Sequence, residues 1–447
     1  MQATSNAAGS TATERDSPTV GIVGAGISGL ALTHFLRKRG VETVTFEAAD
    51  RPGGTIQSRT IDGHVVELGP QRLRLAGPVT SLVEELGLES ELREGNTDQP
   101  LYIYHEGEFR VAPLSLREAI TTDLFSWRGK LRVLAEPLTS GPKPGETVEA
   151  FLARKFGREA AHRLFAPLYT GLYGTAADEM LVEYSLGRAL ERHGIDGSIL
   201  GAVAPYALKG RDPPPIVTFE DGLARLPEAL AEQYADSIEF ATPVEVIEPA
   251  GQGYEIVTDA GRTAVDAVGM TAPAPTAASL LEPVDATLAS TLGEFNYNPI
   301  VVVSLYAEAG VVGHGCQILP EAGYDTLGMT WNASMLDRDG VYTAYLGGGR
   351  EDGLLEKDDG EIGAIAAAEF EELLDAPAEV LNVHRWEPGM PAYDRSWEAL
   401  DRLDPPADIE FVTNYTDRAG IIGRLTDAEG AAERLATTER RGEETAN

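Results

Sequence analysis

The sequence predicts an α/β protein of interleaved parts, with a parallel-sheet nucleotide domain, a second sheet-based domain and a helical insertion on one chain. Three observations predict it. Residues 19–54, TVGIVGAGISGLALTHFLRKRGVETVTFEAADRPGG, read as strand, glycine-rich turn, amphipathic helix and second strand. Two much later segments, 218–248 and 409–436, return to the strand-and-helix alternation of such a domain. Between the first and the later ones, SLREAITTDLFSWRGKLRVLAEPL and TVEAFLARKFGREAAHRLFAPLYTGLY carry apolar residues at three-to-four spacing.

The first element runs from Val20 to Val23 as a buried strand. Gly24-Ala25-Gly26-Ile27-Ser28-Gly29 then turns the chain into a helix. The first glycine permits the tight turn, the second lets backbone approach a pyrophosphate, and the third lets helix pack on strand. Phosphates belong at the helix N-terminus, on free N–H groups at the positive end of the dipole. The helix runs to about Arg39, with Leu30, Leu32, Phe35 and Leu36 on its apolar face, and Gly40 stops it. Val41 to Phe46 is the second strand. Glu47 follows 23 residues after Gly24, where a carboxylate can accept both ribose hydroxyls of a dinucleotide.

The next residues choose the dinucleotide. ADRPGGTIQSRT follows Glu47, and an NAD domain has no need of a second glycine pair just past the ribose acid. Flavoproteins of the glutathione-reductase-like superfamily carry this RxGG arrangement. The resemblance implies a Rossmann FAD-binding domain in which Ala48, Arg51, Gly53, Gly54 and Thr55 give a second phosphate contact. DGHVVELGPQRLRLAG adds Gly69, Pro70, Gln71 and Arg72 to the cofactor set, and Val244, after the helix of 218–248, would touch the adenine. Gly420, Ile421 and Ile422 would aim backbone N–H groups and a helix N-terminus at the flavin's electron-rich edge, favouring its reduction by substrate. No cysteine or histidine lies in a recognisable attachment motif, so the FAD is expected to be held without a covalent bond.

Composition sets the surroundings. The chain has 447 residues, 43% hydrophobic and 7% aromatic, enough for a sizeable core. It carries 71 acidic against 36 basic residues, a formal charge of -35, and only six of the basic residues are lysine. Such a surface repels nucleic acid and anionic lipid. It reads as the cytoplasmic surface of a halophile, where molar salt screens the repulsion. Cys316 stands alone, which excludes an intrachain disulfide, and the seven scattered histidines suggest no metal site. No stretch has the run of apolar residues a membrane span needs. Residues 1–17, without an apolar core, and 437–447 are expected to be disordered tails.

At this point a narrower resemblance becomes specific. VVELGPQRLRLAGPVTSLVEELGLESEL, LFAPLYTGLYGTAADEMLVEYS, GHGCQILPEAGYDTLGMTWNASMLDR and GMPAYDRSW resemble successive segments of the oxygen-dependent protoporphyrinogen and coproporphyrinogen oxidases. The likeness runs through nearly all of 19–436. It implies an FAD domain from 18–75, 216–275 and 385–436, a substrate domain from 76–110 and 280–384, and a helical insertion over 111–205. It also implies oxidation of a porphyrinogen, with hydride passing to flavin and electrons to O2 or another acceptor. From Arg110 to Arg163 there are ten basic against six acidic residues, which suits a polycarboxylate substrate near the insertion; in some family members this part also borders a membrane.

Two departures matter. Where eukaryotic members carry an arginine for a substrate propionate, this chain has Pro100, and the terminal loop has about three extra residues, TDR, before Gly420. The anchor therefore falls to other residues, and Arg72 and Arg74 alternate with Leu73 and Leu75 on one strand face away from the core. His64 and His314 should border the active site as loop residues. Three alternatives stay open: a flavin amine oxidase, a carotenoid desaturase, and an FAD-binding protein without turnover. Amine oxidases usually set a lysine near the flavin, and after the second FAD segment the sole lysine is Lys357, in the acidic stretch GLLEKDDGE.

Overall fold

The computed structural model describes residues 19–114, 116–202, 213–349, 353–416 and 420–446. The tail over 1–17 and most of the enlarged terminal loop lie outside the described residues. Thr19–Val23 and Glu42–Phe46 pair in parallel, as their β-branched residues favour. They are the middle of a five-stranded parallel sheet, ordered Ile238–Glu239, Glu42–Phe46, Thr19–Val23, Ala267–Met270, Ile409–Phe411. On one face, helix Ile27–Lys38 packs against the C-terminal helix Ile421–Ala446, with Leu30, Leu32 and Leu36 sharing a core with Leu425, Ala428 and Ala432. On the other lies a three-stranded antiparallel meander, Val244–Ala250, Gly253–Thr258 and Gly261–Val265. Gly21 admits it closely: a Cβ there would fall 2.3 Å from Ile256 Cδ1.

The second domain is a seven-stranded mixed sheet. Its order is Glu379–Pro391, Tyr297–Tyr306, Val341–Gly347, Thr326–Thr330, Gly315–Ile318, Leu101–His105, Glu108–Val111. Alternation gives each strand two faces. Val301, Val303, Leu305, Tyr342, Ala344 and Leu346 lie under helix Asp359–Leu374, packed on Ile362, Ala366 and Phe370. A reciprocal cap starts that helix, Glu361 N–H to Asp358 Oδ1 at 2.9 Å and Asp358 N–H to Glu361 Oε2 at 3.0 Å. The opposite face, with Gln317, Thr330, Thr343 and Tyr345, turns inward.

Between residues 116 and 192 the chain is mainly helical, with Leu116–Thr121, Trp127–Leu134, Val148–Phe156, Ala166–Tyr173 and Leu186–Arg192. Phe151, Leu152, Phe156 and Leu164 form its core. Within it Lys155 Nζ meets Glu136 Oε1 at 2.7 Å with both side chains fully buried. Glu136 also accepts from Ser198 Oγ and the Ile199 N–H, tying the end of the insertion to the turn after helix Trp127–Leu134.

Three expectations need correction. Residues 385–391 fall within the expected FAD domain, yet strand Glu379–Pro391 pairs with Tyr297–Tyr306 and belongs to the second sheet. Glu387-Pro388-Gly389 is absorbed into that strand as a bulge opposite Asn298 and Ile300. Helix Pro78–Leu86, assigned to the substrate domain, instead buries Val79, Leu82 and Val83 in the FAD-domain core. Strand Ile216–Phe219 lies in the same core through Val217 and Phe219, and pairs with Leu73–Arg74 and Leu92–Glu94 outside the parallel sheet. The tail from 437 continues as helix to Ala446, since its Glu, Arg and Thr residues extend an established helix and Gly442 does not break it.

Candidate active site

Helix Ile27–Lys38 and helix Ile421–Ala446 both begin at the carboxyl ends of parallel strands, so two N-termini face the edge where α/β sheets bind ligands. The glycines there divide the work. Gly24 adopts φ +100°, closed to most side chains, and its N–H donates to the Phe46 carbonyl at 2.8 Å. A Cβ on Gly29 would sit 1.9 Å from the Gly24 oxygen, so that glycine serves packing. Gly26 has ordinary extended backbone, and a Cβ there would meet nothing closer than Gly54 Cα at 3.8 Å. No fold constraint explains it. The space it leaves clear is the one a phosphate needs, and FAD fits this cradle.

The second glycine pair lies directly on the first. Gly53 N–H donates to the Ala25 carbonyl at 2.9 Å and Gly53 pairs with Gly26 as an isolated bridge. Gly69 follows so closely on Thr55 that a Cβ would stand 2.0 Å from the Thr55 oxygen. Gln71 returns its amide to the Gly69 carbonyl at 2.9 Å. Glu47 is half-buried, accepting from the Ala25 N–H at 2.6 Å and the Ala49 N–H at 2.9 Å, which aims the carboxylate along the cradle. Its backbone carbonyl accepts from Thr242 at 2.8 Å, which brings Val244 to the same end. Ile27 and Ser28 are buried at the helix start; Ala48, Pro70, Arg51, Gly54 and Thr55 lie along the rim, with Arg51 exposed and donating to Gln57 Oε1 at 3.3 Å. Gly420, at φ +98°, opens the C-terminal helix, followed by buried Ile421 and half-buried Ile422.

Over this cradle stands the polar face of the second sheet. Asn332 Nδ2 donates to Gln71 Oε1 at 2.8 Å, and Thr343 Oγ1 donates to the same oxygen at 3.0 Å. This buried trio locks the Gly69–Arg72 segment to the second domain. Tyr345 Oη pairs with Thr330 Oγ1 at 3.2 Å, and burial, opposed by Thr330 and Arg72, pushes the phenol up to about 12, so it stays protonated. Arg72 is half-buried, its guanidinium 3.0 Å from Met335 Sδ. Among the described residues it meets no carboxylate. Burial holds it below its usual value; Tyr345 offsets part of this and Arg74 adds to it. Arg74 is exposed and donates to the Pro214 carbonyl at 2.7 Å. The two arginines therefore do not share one strand face: the strand is only Leu73–Arg74, and Arg72 precedes it, turned inward.

The remaining candidates fall outside the cradle. His64 stacks on Tyr306 with centroids 4.6 Å apart. Burial pushes the Cys316 thiol up to about 12, which leaves it inert. Lys357 is exposed. Among the described residues no group of three or more His, Cys, Asp or Glu could hold a metal, and no helix is long and apolar enough to cross a membrane.

Sequence reasoning missed three features. Asn332 and Thr343 lie over 260 residues from Gln71, and only tertiary contact reveals them as its partners. Glu67, 5% exposed, accepts from Ser58 Oγ at 2.6 Å and the Leu223 N–H at 2.8 Å, joining two FAD-domain segments. Its signal was present as a charged residue inside the apolar run VVELG. Tyr393, in GMPAYDRSW, holds φ +52°, uncommon for an aromatic residue, while packed between Tyr173 and Trp397 at 5.2 and 4.2 Å.

Comparison with known proteins agrees with this geometry. The family model described as flavin containing amine oxidoreductase matches residues 27–427. Protoporphyrinogen oxidase 1 of Spinacia oleracea is 27% identical over 83% of this chain and 74% of its own. Coproporphyrinogen III oxidase of Bacillus subtilis is 25% identical over 83% of this chain and 87% of its own. In fold, a solved Exiguobacterium protein provisionally named a protoporphyrinogen oxidase superposes with TM-score 0.76 at 22% identity, covering 95% of this chain and 99% of that one. Cyclohexylamine oxidase from Brevibacterium oxydans gives 0.69 at 17% identity, over 95% and 100%. With its glycine cradle, its paired helix N-termini and this match along most of its length, the chain belongs to the flavin-containing amine oxidoreductase family and is an FAD-dependent oxidoreductase.

Proposed function

We propose that the chain oxidises a porphyrinogen, protoporphyrinogen or coproporphyrinogen, to the porphyrin of heme biosynthesis, with dioxygen taking the electrons. The observation that carries this is Arg72, a half-buried cation without a carboxylate among the described residues, set beside the polar face over the FAD cradle. An anionic substrate supplies the missing charge. The names of the relatives above agree with a tetrapyrrole that carries carboxylates.

FAD, held without a covalent bond by Gly24–Gly29, Glu47, Gly53–Thr55 and Gly420–Ile422, supplies the two-electron acceptor. The chain's own groups orient and shield. Gln71, Asn332 and Thr343 are neutral and mutually bonded, and Tyr345 keeps its proton, so this face holds the macrocycle and excludes water. An amine-oxidase reading has less support, because Lys357 is exposed in its acidic loop.

Leu114, Ile120, Trp127, Leu131, Leu134 and Leu138 expose more than half their surface on the insertion. Arg128 lies over the Trp127 ring at 5.5 Å and Lys130 is nearby. These side chains support peripheral contact of a cytoplasmic enzyme with a membrane surface, where a hydrophobic substrate could transfer. Vesicle sedimentation of Trp127→Glu against the unaltered chain checks it; equal partition would refute it. The function itself is tested by aerobic assay with both porphyrinogens at high salt, following porphyrin fluorescence and peroxide. Formation of porphyrin and peroxide only in the enzyme's presence is expected. No rate above the uncatalysed oxidation for either substrate overturns it.

A further inference from the structure

We propose that Arg424, buried at the start of the C-terminal helix, sets a fixed positive charge beside the flavin and raises its reduction potential, with Asp427 tempering the effect. The inference needs only bound FAD, so it stands apart from the choice of substrate.

The first ground is the direction in which the cofactor runs. Glu47 follows strand Glu42–Phe46, the Gly24–Gly29 turn follows Thr19–Val23, and Ala267–Met270 and Ile409–Phe411 come next in the sheet. A dinucleotide with its ribose at Glu47 and its phosphates on the turn carries its flavin half onward over those last two strands. They lie about 5 and about 10 Å beyond the turn, at the usual spacing of paired strands. Helix Ile421–Ala446 opens there, after the carboxyl end of Ile409–Phe411.

The second ground is the geometry of the pair. Arg424 is the fourth residue of that helix and is 5% exposed. Its N–H closes the first turn on the Gly420 carbonyl at 3.0 Å. Its side chain leans toward the helix N-terminus, as helical side chains do, and Nη1 donates to the Thr413 carbonyl just past the last strand. Asp427 meets the same Nη1 at 3.2 Å. The cation therefore comes from one turn nearer the N-terminus than the anion, in the same sense as the helix dipole. Its field crosses the sheet edge to Tyr393, whose phenol burial raises first and Tyr173 raises further, while Arg424 draws it back. That phenol donates to the Asn414 carbonyl at 3.4 Å, next to Thr413.

The third ground is energetic. A cation in the first turn opposes the positive end of the helix dipole, where an anion is the stabilising choice, and this turn holds no acidic residue. A buried ion pair also adds little to stability beside apolar residues of the same size. The fold alone gives weak reason for Arg424. A flavin that gains negative charge on reduction answers both the dipole and the guanidinium.

The test uses the FAD-loaded protein at fixed salt and two readouts that involve no substrate. One is the flavin midpoint potential, by equilibration with reference dyes. The other is titration with sulfite, whose sulfur lone pair bonds to flavin N5 and leaves negative charge on the ring, so its affinity reports positive charge nearby. Arg424→Met should weaken sulfite binding about tenfold and lower the potential, the scale of one close charge. Arg424→Lys should restore most of both. Asp427→Asn, nearly equal in size, should act in the opposite sense, tightening sulfite severalfold and raising the potential. A pair that only shaped the loop would move both variants the same way. Unchanged affinity and potential in both variants, or a shift of both in one direction, overturns the proposal. Where Arg424→Met fails to retain FAD, the sign found for Asp427→Asn decides.

Discussion

Replacing Gly26 separates a glycine kept for its ligand from one kept for its fold. At Gly26 the backbone lies at φ -69° and ψ 176°, which any residue adopts, and a new Cβ meets only Gly54 Cα at 3.8 Å. Gly26→Ala should therefore change the stability of the FAD-free protein by no more than about 0.5 kcal/mol, the range of an unstrained substitution. The same methyl fills the approach to the free N–H groups at the helix start. Losing one or two charge-assisted hydrogen bonds there, at about 1.5–3 kcal/mol each, lowers FAD affinity at least about tenfold. Gly29→Ala should do the reverse, because its Cβ falls 1.9 Å from the Gly24 oxygen and the helix must shift off its strand. The assay is a thermal melt of each FAD-free variant beside a flavin titration. If Gly26→Ala melts as low as Gly29→Ala, or binds FAD as the parent does, the assignment of roles is wrong.

Other expectations follow from single contacts. Glu47→Ala should weaken FAD binding by about ten- to a hundredfold, measured by fluorescence titration, and unchanged affinity would remove Glu47 from the site. Burial, opposed by Ser58, Leu223 and Arg338, raises the Glu67 carboxyl to about 7 from an ordinary 4.5, so the folded chain keeps a proton that the unfolded chain loses. Stability then falls as pH rises from about 4.5 to about 7, by about 3 kcal/mol, and levels off above; Glu67→Gln, melted across that range, should lose this part of the slope. Lys155→Met leaves Glu136 buried and uncompensated, and denaturant unfolding should show a loss of about 3–5 kcal/mol with little change in the FAD site.

What could be read from sequence was local. The strand-turn-helix of 19–47 could be read because Gly24 and Gly29 answer constraints within a few residues, and Gly40 ends the helix where expected. The paired glycines at 53–54 were legible from their offset, and they do lie against Ala25 and Gly26. The boundaries were harder, because they depend on tertiary contact. The boundary at 385 falls inside a strand, because pairing with Tyr297–Tyr306 carries the chain through Pro388-Gly389. Helix Pro78–Leu86 is amphipathic in either domain, and only the core it enters decides its place. Arg72 reads in sequence as sharing a strand face with Arg74, away from the core, and its inward turn depends on Met335, more than 260 residues away. The Gln71–Asn332–Thr343 trio had no sequence signal, because neutral amides and hydroxyls gain meaning from proximity.

The central claim is that a porphyrinogen delivers its electrons to FAD bound in this cradle. It is met most directly by mixing the FAD-loaded protein with protoporphyrinogen or coproporphyrinogen under strict exclusion of oxygen, at high salt, and following the flavin absorbance near 450 nm. The expected result is bleaching of the flavin band by at least one of the two, with porphyrin formed in step and the band restored when air is admitted. A flavin that stays oxidised with both porphyrinogens, yet is bleached by an amine or a carotenoid precursor, would contradict it.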